Sequence, residues 1–395
     1  MTGRPESIGD PFVIERAEVL EVALPLKEPF VTSFGPTASR NVVLVRLTDA
    51  DGRVGWGEAA PLDHPFYLPD TVSGAFAVMV EYALPLCLRA QIAHPGDAAA
   101  AMGSVRGNTF ARAGVEQAYW VLEAVRSSRR LADLLGGGRD RIAVGESLGI
   151  KASIDDLLDE AALRLKEGYR RIKLKIAPGW DLDVVREVRS AFGPEVMLQV
   201  DANAAYTSHD AERLAELDPF DLACIEQPLE YDDLVGHAEL QRRLDTPICL
   251  DESLRSWRDV RTALRIGACR NVNLKPGRVG GIAESLRIHD LCLDQGVPLW
   301  CGGMLESGIG RAANIALASL PGFDHPADMS PAAILYTWDL VDPTYQVDPD
   351  GFVDVPVEAG LGFPVDEERV RAQTVRRAEL DRRGNVTHVD ERRAP

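Results

Sequence analysis

Arg171-Ile172-Lys173-Leu174-Lys175-Ile176 alternates basic and aliphatic side chains, the pattern of a strand with two different faces. Lys173 and Lys175 fall on one face, while Ile172, Leu174 and Ile176 fall on the other. Four more short runs rich in β-branched or aliphatic residues follow: Val196-Met197-Leu198-Gln199-Val200-Asp201, Leu222-Ala223-Cys224-Ile225-Glu226, Ile248-Cys249-Leu250-Asp251-Glu252 and Val272-Asn273-Leu274-Lys275. Each carries a charge at or near its end, and Lys175, Asp201, Glu226, Asp251 and Lys275 recur every 24 to 26 residues.

Between these runs lie charged segments of helical length and period: 182–191, 210–217, 234–244, 257–266 and 282–293. A unit of one strand and one helix, repeated without reversal, predicts a parallel sheet closed into a barrel. Active sites in such barrels form at the C-terminal ends of the strands, where all five charges fall. The two lysines on one face must then point into the barrel.

Three carboxylates on one mouth need a partner. Two like charges 4 Å apart repel by about 4 kcal/mol at an effective dielectric of 20, and a divalent cation reverses that sign. Asp201, Glu226 and Asp251 offer only hard oxygens, with no His or Cys at those strand ends, so Mg²⁺ or Mn²⁺ is expected and zinc is disfavoured. Separate salt bridges in the barrel wall are the plainer alternative for each acid, but three in consecutive repeats would leave costly buried charge. A lysine beside a metal and a second cation is expected to have its neutral form favoured, which suits it to act as a base. Lys275 lies four strands on from Lys175, across the mouth. A carbon held between them can lose a proton to one and regain it from the other.

These residues carry a family resemblance. Lys173-Leu174-Lys175, Asp201-Ala202-Asn203, Glu226-Gln227-Pro228, Asp251-Glu252-Ser253, Lys275-Pro276 and Cys301-Gly302-Gly303-Met304-Leu305-Glu306-Ser307-Gly308 together resemble the enolase superfamily, muconate-lactonising subgroup. Within it the pattern is similar to the o-succinylbenzoate synthase and N-succinylamino acid racemase group, from about Phe12 to Phe363. The resemblance implies a modified TIM barrel, (β/α)7β, in an α/β chain with an N-terminal α+β capping domain completed by C-terminal residues. The expected divisions are 1–138 for the cap, 139–341 for the barrel, and 342–395 for a segment returning to the cap with a frayed tail.

The resemblance further implies Asp201, Glu226 and Asp251 as Mg²⁺ ligands and Lys175 and Lys275 as the acid/base pair. Lys173 becomes a cation near the substrate carboxylate, and Asn203 and Glu252 support the ligands from behind. The implied reaction is removal of a proton α to a carboxylate to give an enediolate, followed by racemisation of an N-acyl amino acid or by dehydration of the menaquinone-pathway type. Weaker substrate contacts are Phe30, Phe34, Ser147, Arg278, Gly303, Met304 and Glu306. Relatives of the mandelate racemase type place a histidine late in the barrel; Trp300-Cys301-Gly302-Gly303 has none. Dipeptide epimerases carry Asp-X-Asp at the eighth strand to grip an ammonium, whereas this chain reads Pro326-Ala327-Asp328-Met329, which favours an acylated amine. Dipeptide epimerase or muconate cycloisomerase chemistry is the neighbouring alternative. Arg278 is expected either to press on Lys275 by like charge or to face solvent.

Other features bound the reading. The segment Pro25 to Pro36 is expected to be a loop, and Val42 to Leu47 with Val54 to Glu58 a hairpin turning at Asp51-Gly52. The hairpin leads into Ala59 to Tyr67, and the family resemblance implies that the two loops, 25–36 and 59–67, cap the barrel and shape substrate choice. With 43 basic against 61 acidic residues, a net charge of −18 repels nucleic acid. The first ten residues lack an apolar core, and Glu81 and Pro85 interrupt the longest apolar stretch, so neither a signal peptide nor a membrane span is expected. Six cysteines without CxxC spacing suggest buried thiols in a cytoplasmic protein, with Cys301 a minor candidate for reactivity. The expected partner is a small carboxylate substrate, with homo-oligomerisation implied by the family. A Schiff-base barrel aldolase and a non-catalytic binding protein are the rival classes. The first would ignore chelators, and the second would need a disabled ligand or lysine that the sequence does not contain.

Overall fold

The computed structural model describes residues 10–33 and 35–391. Its first sheet is antiparallel, in the order β14-β13-β1-β2-β3, with β1 Ile14–Thr32, β2 Gly35–Asp49, β3 Val54–Ala59, β13 Thr374–Asp381 and β14 Val386–Glu391. Ala17, Val19 and Val22 are fully buried, as are Val43 and Val45, which face the helices that follow β3. Of these helices Thr109–Arg126 is the central one. The carbonyls of Gly114 and Ala118 lie where side chains on Gly57 and Gly55 would sit, so glycine at those two strand positions is what lets the helix lie flat on the sheet.

Two expectations fail here. Residues 25–36 are not a free loop but the far end of the β1–β2 hairpin, with a bulge between Pro25 and Phe30 and renewed pairing of Phe30 with Thr37. Prolines and charges hid this because the extension meets the barrel through its tip and needs no apolar face of its own. The tail does not fray over 386–391 either. β14 pairs with β13, and all six of its side chains are exposed, so backbone hydrogen bonding rather than burial holds it. The stretch Val72–Arg89 is helical throughout despite Glu81 and Pro85; by length and composition it could cross a membrane, but half of it is buried in the protein.

The second sheet holds seven parallel strands in chain order: β5 Glu146–Leu148, β6 Arg171–Lys175, β7 Met197–Asp201, β8 Ile225–Glu226, β9 Ile248–Leu250, β10 Asn271–Leu274 and β11 Leu299–Cys301. Bridges from Leu299 to Phe323 and from Val144 to Ala327 complete the curl, placing residues 323–328 between the last strand and the first. A small pair, β4 Arg141–Ala143 with β12 Phe352–Asp354, adjoins it. The strand expected at 222–226 shrinks to two residues, while helices Leu182–Phe192, Trp257–Ile266 and Ile282–Gln295 match their predicted segments closely.

Candidate active site

Register carries the charges to one end. Lys175 pairs with Asp201 and Asp201 with Glu226 across three adjacent strands, while Asp251 lies two residues beyond Cys249, the partner of Glu226. All are buried: Glu226 and Asp251 are fully enclosed, Asp201 is 1% exposed, and Lys173, Lys175 and Lys275 are 3%, 7% and 6% exposed. Below them, Cys224, Cys249 and Trp300 form a small apolar plug inside the barrel.

The lysines lie against the acids. Lys175 Nζ donates to Asp201 Oδ2 at 2.6 Å and to Asn203 Oδ1 at 2.8 Å. Lys275 Nζ donates to Asp251 Oδ2 at 2.8 Å and to the Tyr67 hydroxyl at 3.2 Å. Lys173 Nζ reaches Glu226 Oε2 at 3.2 Å and Asp328 Oδ2 at 2.6 Å, and lies 4.8 Å above the Trp300 ring. Asn203 takes the left-handed conformation, φ 43°, which asparagine tolerates, and its amide also donates to Glu252 Oε1 at 3.0 Å. A side chain on Gly302 would collide with Asn273 and with the Lys275 side chain, so the chain after β11 can pass this closely only as glycine.

Electrostatics bear on one expectation. Burial works against the ammonium of Lys173 and of Lys275, but Asp328, Glu226 and Asp201 around the first, and Asp251, Tyr67 and Glu226 around the second, outweigh it and raise both. At these two lysines the protein groups by themselves therefore favour the ammonium, and the neutral form expected beside a metal ion depends on that ion's charge. Asp251 and Asp328 are held well below the carboxylate range: burial opposes this, but Lys275 and Arg278 dominate at the first and Lys173 and Arg171 at the second. Glu226 goes the other way, pushed up to about 7 by burial and then by Asp201. Glu252 rises well above its ordinary value through burial and the charges of Asp251 and Asp201, and its Oε2 has no partner.

Among the described residues no group of three His, Cys, Asp or Glu side chains is already arranged to hold a metal ion, because lysine ammoniums sit between the acids. The donor set nonetheless fits Mg²⁺. It comprises three buried carboxylates on successive strands, one of them raised by repulsion from its neighbour, which is the imbalance that a divalent cation relieves.

A cleft of about 110 Å³ opens on this cluster. Its walls include Lys173, Lys175 and Lys275, together with Asn203, Ser147, Gly303 and Met304 from the sequence expectations. Ser147 Oγ is buried without a partner, free to meet a substrate. Arg278 and Glu306 are not among the wall residues. Arg278 is fully buried, donating to Asp251 Oδ1 and to the carbonyls of Asn273 and Leu254, so it does not face solvent, and its charge presses against the Lys275 ammonium as the other alternative expected. Glu306 is turned away to Met304 N and Asn314 Nδ2. Phe34 lies outside the described residues, and of Phe30 only the backbone is described. Cys301 is fully buried and its thiol pushed well up, which removes it as a nucleophile.

Tyr67 brings the expected 59–67 cap loop to the wall, whereas sequence reasoning missed Glu146, Asp328 and Arg311 as wall residues. Asp328 was read only as the remnant of an ammonium grip. It is in fact neutralised by Lys173 and by Arg171, whose guanidinium lies 5.0 Å over Trp300. Nothing in the chain's spacing pairs residue 67 with residue 275. A larger cavity, about 420 Å³, lies elsewhere, among Arg16, Glu18, Arg46 and Trp56 on the cap sheet, where Glu18 already binds Arg16, Arg46 and Arg377.

Residues 14–136 match the family model described as the mandelate racemase / muconate lactonizing enzyme N-terminal domain, and residues 156–369 match the enolase C-terminal domain-like model. The chain belongs to the enolase superfamily. It is 46% identical over 361 residues to an o-succinylbenzoate synthase of Geobacillus kaustophilus, covering 91% of this chain and 96% of that one. It is also 46% identical over 351 residues to an N-succinylamino acid racemase of an Amycolatopsis species, covering 89% and 95%. A crystal structure of an enolase superfamily member from Listeria innocua superposes with a TM-score of 0.91 at 38% identity, covering 94% of this chain and all of that one. Members of the superfamily bind Mg²⁺ as a general property.

Proposed function

We propose that this enzyme removes the proton α to a carboxylate in a small acid and acts as an o-succinylbenzoate synthase, an N-succinylamino acid racemase, or both. The observation that carries the reading is the pair of buried lysines, Lys175 and Lys275, lining one cleft from strands four places apart in the ring. Two relatives of equal identity bear the two names, which supports keeping both activities.

Asp201, Glu226 and Asp251 would hold Mg²⁺. Bound there, the ion supplies Lewis-acid stabilisation of developing negative charge, worth several kcal/mol. Lys173 anchors the anionic end of the substrate, and Ser147 Oγ offers it a hydrogen bond. In racemisation, the amine of Lys175 takes the α proton as the C–H electron pair moves into the enediolate. The ammonium of Lys275 then delivers a proton to the opposite face, and solvent resets both lysines; the reverse direction exchanges their roles. In dehydration, the Lys175 ammonium that holds the α proton gives it to the β-hydroxyl as the enediolate electron pair forms the new C=C bond, so the group leaves as water and Lys175 returns to the amine. General acid/base work of this kind contributes about 10²- to 10⁴-fold. The pairing of Asp328 with Lys173 and Arg171 leaves it no free charge for a substrate ammonium, which favours acylated amines over dipeptides. Six free, buried cysteines suit a cytoplasmic location.

Side-by-side assays of dehydration to o-succinylbenzoate and of racemisation of N-succinylamino acids in D₂O test the reading. Turnover with solvent deuterium at the α carbon of the racemised product is expected. Racemised product free of deuterium, or activity indifferent to EDTA, would refute it.

A further inference from the structure

The two lysines are held by different parts of the molecule. The two partners of the Lys175 head, Asp201 and Asn203, both belong to the barrel. Among the described residues, the cap's hydrogen bond on that side is from Ser33 Oγ to the backbone carbonyl of Asn203 at 3.2 Å. Lys275 shares its head between barrel and cap. Its Nζ donates to Asp251 Oδ2 and to the Tyr67 hydroxyl, the same hydroxyl donates to Asp251 Oδ1 at 2.7 Å, and the ammonium lies 4.8 Å from the centre of the Tyr67 ring. Lysine, tyrosine and carboxylate thus close a ring that fixes a side chain otherwise free about four bonds.

The loop that brings Tyr67 is itself pinned. Arg40, fully buried, donates to the carbonyls of Pro61 at 2.8 Å and Ala60 at 2.9 Å, and also to that of Met304 at 2.9 Å. Its guanidinium meets no carboxylate within ion-pair distance among the described residues; it spends its charge on three carbonyls that join the start of the 59–67 loop to the barrel loop after β11. Met304 in turn places its sulfur 3.7 Å from Lys275 Nζ. Both loops that flank Lys275 therefore hang on one cation.

We propose that Tyr67, through its hydrogen bonds to Lys275 and to the Asp251 carboxylate that Lys275 shares, is a positioning residue for Lys275 and not for Lys175, with Arg40 the clamp that sets it, so that the cap governs proton transfer on one face of the substrate carbon more than on the other. This rests on the two-lysine reading above and adds an asymmetry between its halves.

Stereospecific exchange tests it. Each enantiomer of an N-succinylamino acid is incubated separately with the Mg²⁺-loaded enzyme in D₂O, and loss of the α proton is followed by NMR. Lys275→Ala identifies the enantiomer whose exchange depends on Lys275. Tyr67→Phe, which keeps the ring and removes the hydroxyl, is expected to slow exchange of that enantiomer about tenfold, equivalent to about 1.4 kcal/mol of barrier. The other enantiomer should stay within about twofold of wild type, which a general loosening of the site would not allow. Arg40→Lys should give the same one-sided loss together with faster amide hydrogen exchange over residues 59–67. Equal slowing of both enantiomers in Tyr67→Phe, or no slowing of either, overturns the positioning role while leaving the proposed reaction intact. Absence of exchange from either enantiomer with the wild-type enzyme would sink the reaction itself, and the inference with it.

Discussion

The barrel mouth and the junction between cap and barrel both bury charge, but they satisfy it in opposite ways. At the mouth, charge meets charge: Lys175 with Asp201, Lys275 with Asp251, and Lys173 with Glu226 and Asp328. At the junction, ionisable groups meet mostly backbone. Arg40 binds three carbonyls, and Glu58 accepts from Ser307 N at 2.9 Å, Ser307 Oγ at 2.5 Å and Gly310 N at 2.8 Å, at the start of helix Gly308–Ala318. Groups paired with side-chain ammoniums can exchange partners when substrate or metal arrives. Groups satisfied by backbone cannot move without unfolding something, so the junction gives rigidity and the mouth gives chemistry.

Breaking the mouth should have the largest effect on turnover and little on the fold. Lys175→Ala and Lys275→Ala are each expected to lower racemisation by about 10²- to 10⁴-fold, read from initial rates by polarimetry, with Mg²⁺ binding by calorimetry retained. Asp251→Asn is expected to weaken Mg²⁺ binding by at least tenfold in the same calorimetric titration. An unchanged affinity would remove Asp251 from the ligand set.

Breaking the junction should show in stability first. Glu58→Ala leaves three buried donors unpaired and is expected to cost about 2–4 kcal/mol in denaturant melts. The same residue gives a pH signature. Burial pushes Glu58 up to about 8 from an ordinary 4.5. The folded state therefore holds a proton there that the unfolded chain has lost, and stability falls as pH rises through that window. Between pH 5 and 8.5 the wild type should lose stability relative to Glu58→Gln, and parallel curves would contradict the assignment. Smallest is Glu391→Ala on the exposed edge strand, where the Arg376 pair at 2.8 Å is solvent-screened; a change within about 0.5 kcal/mol is expected.

How far the chain could be read from its letters differs between these regions for the same reason. Lys175, Asp201, Glu226, Asp251 and Lys275 were legible because each terminates its own strand, and a repeat of one strand and one helix sets their spacing locally. Arg278 was legible as a charge near Lys275 but not as a group bound beneath Asp251, since a helical turn, Pro276–Val279, directs it back under the mouth. Tyr67 was legible as part of a cap loop but not as a partner of Lys275, and Arg40 and Glu58 carried no signal. Their partners are 184, 264 and 249 residues away, and no periodicity links a cap loop to a barrel strand.

The sequence alone determined the parallel barrel, the order of its strands and the five charged residues at their ends, because strand period and helix period are properties of neighbouring residues. Only the tertiary structure decided which acid holds which amine, that Asp328 is already neutralised, and that, among the described residues, the cap hydrogen-bonds the head of Lys275 directly and not that of Lys175. Those outcomes depend on where distant segments meet once apolar faces are buried, and hydrophobic burial fixes that meeting without writing it into local pattern.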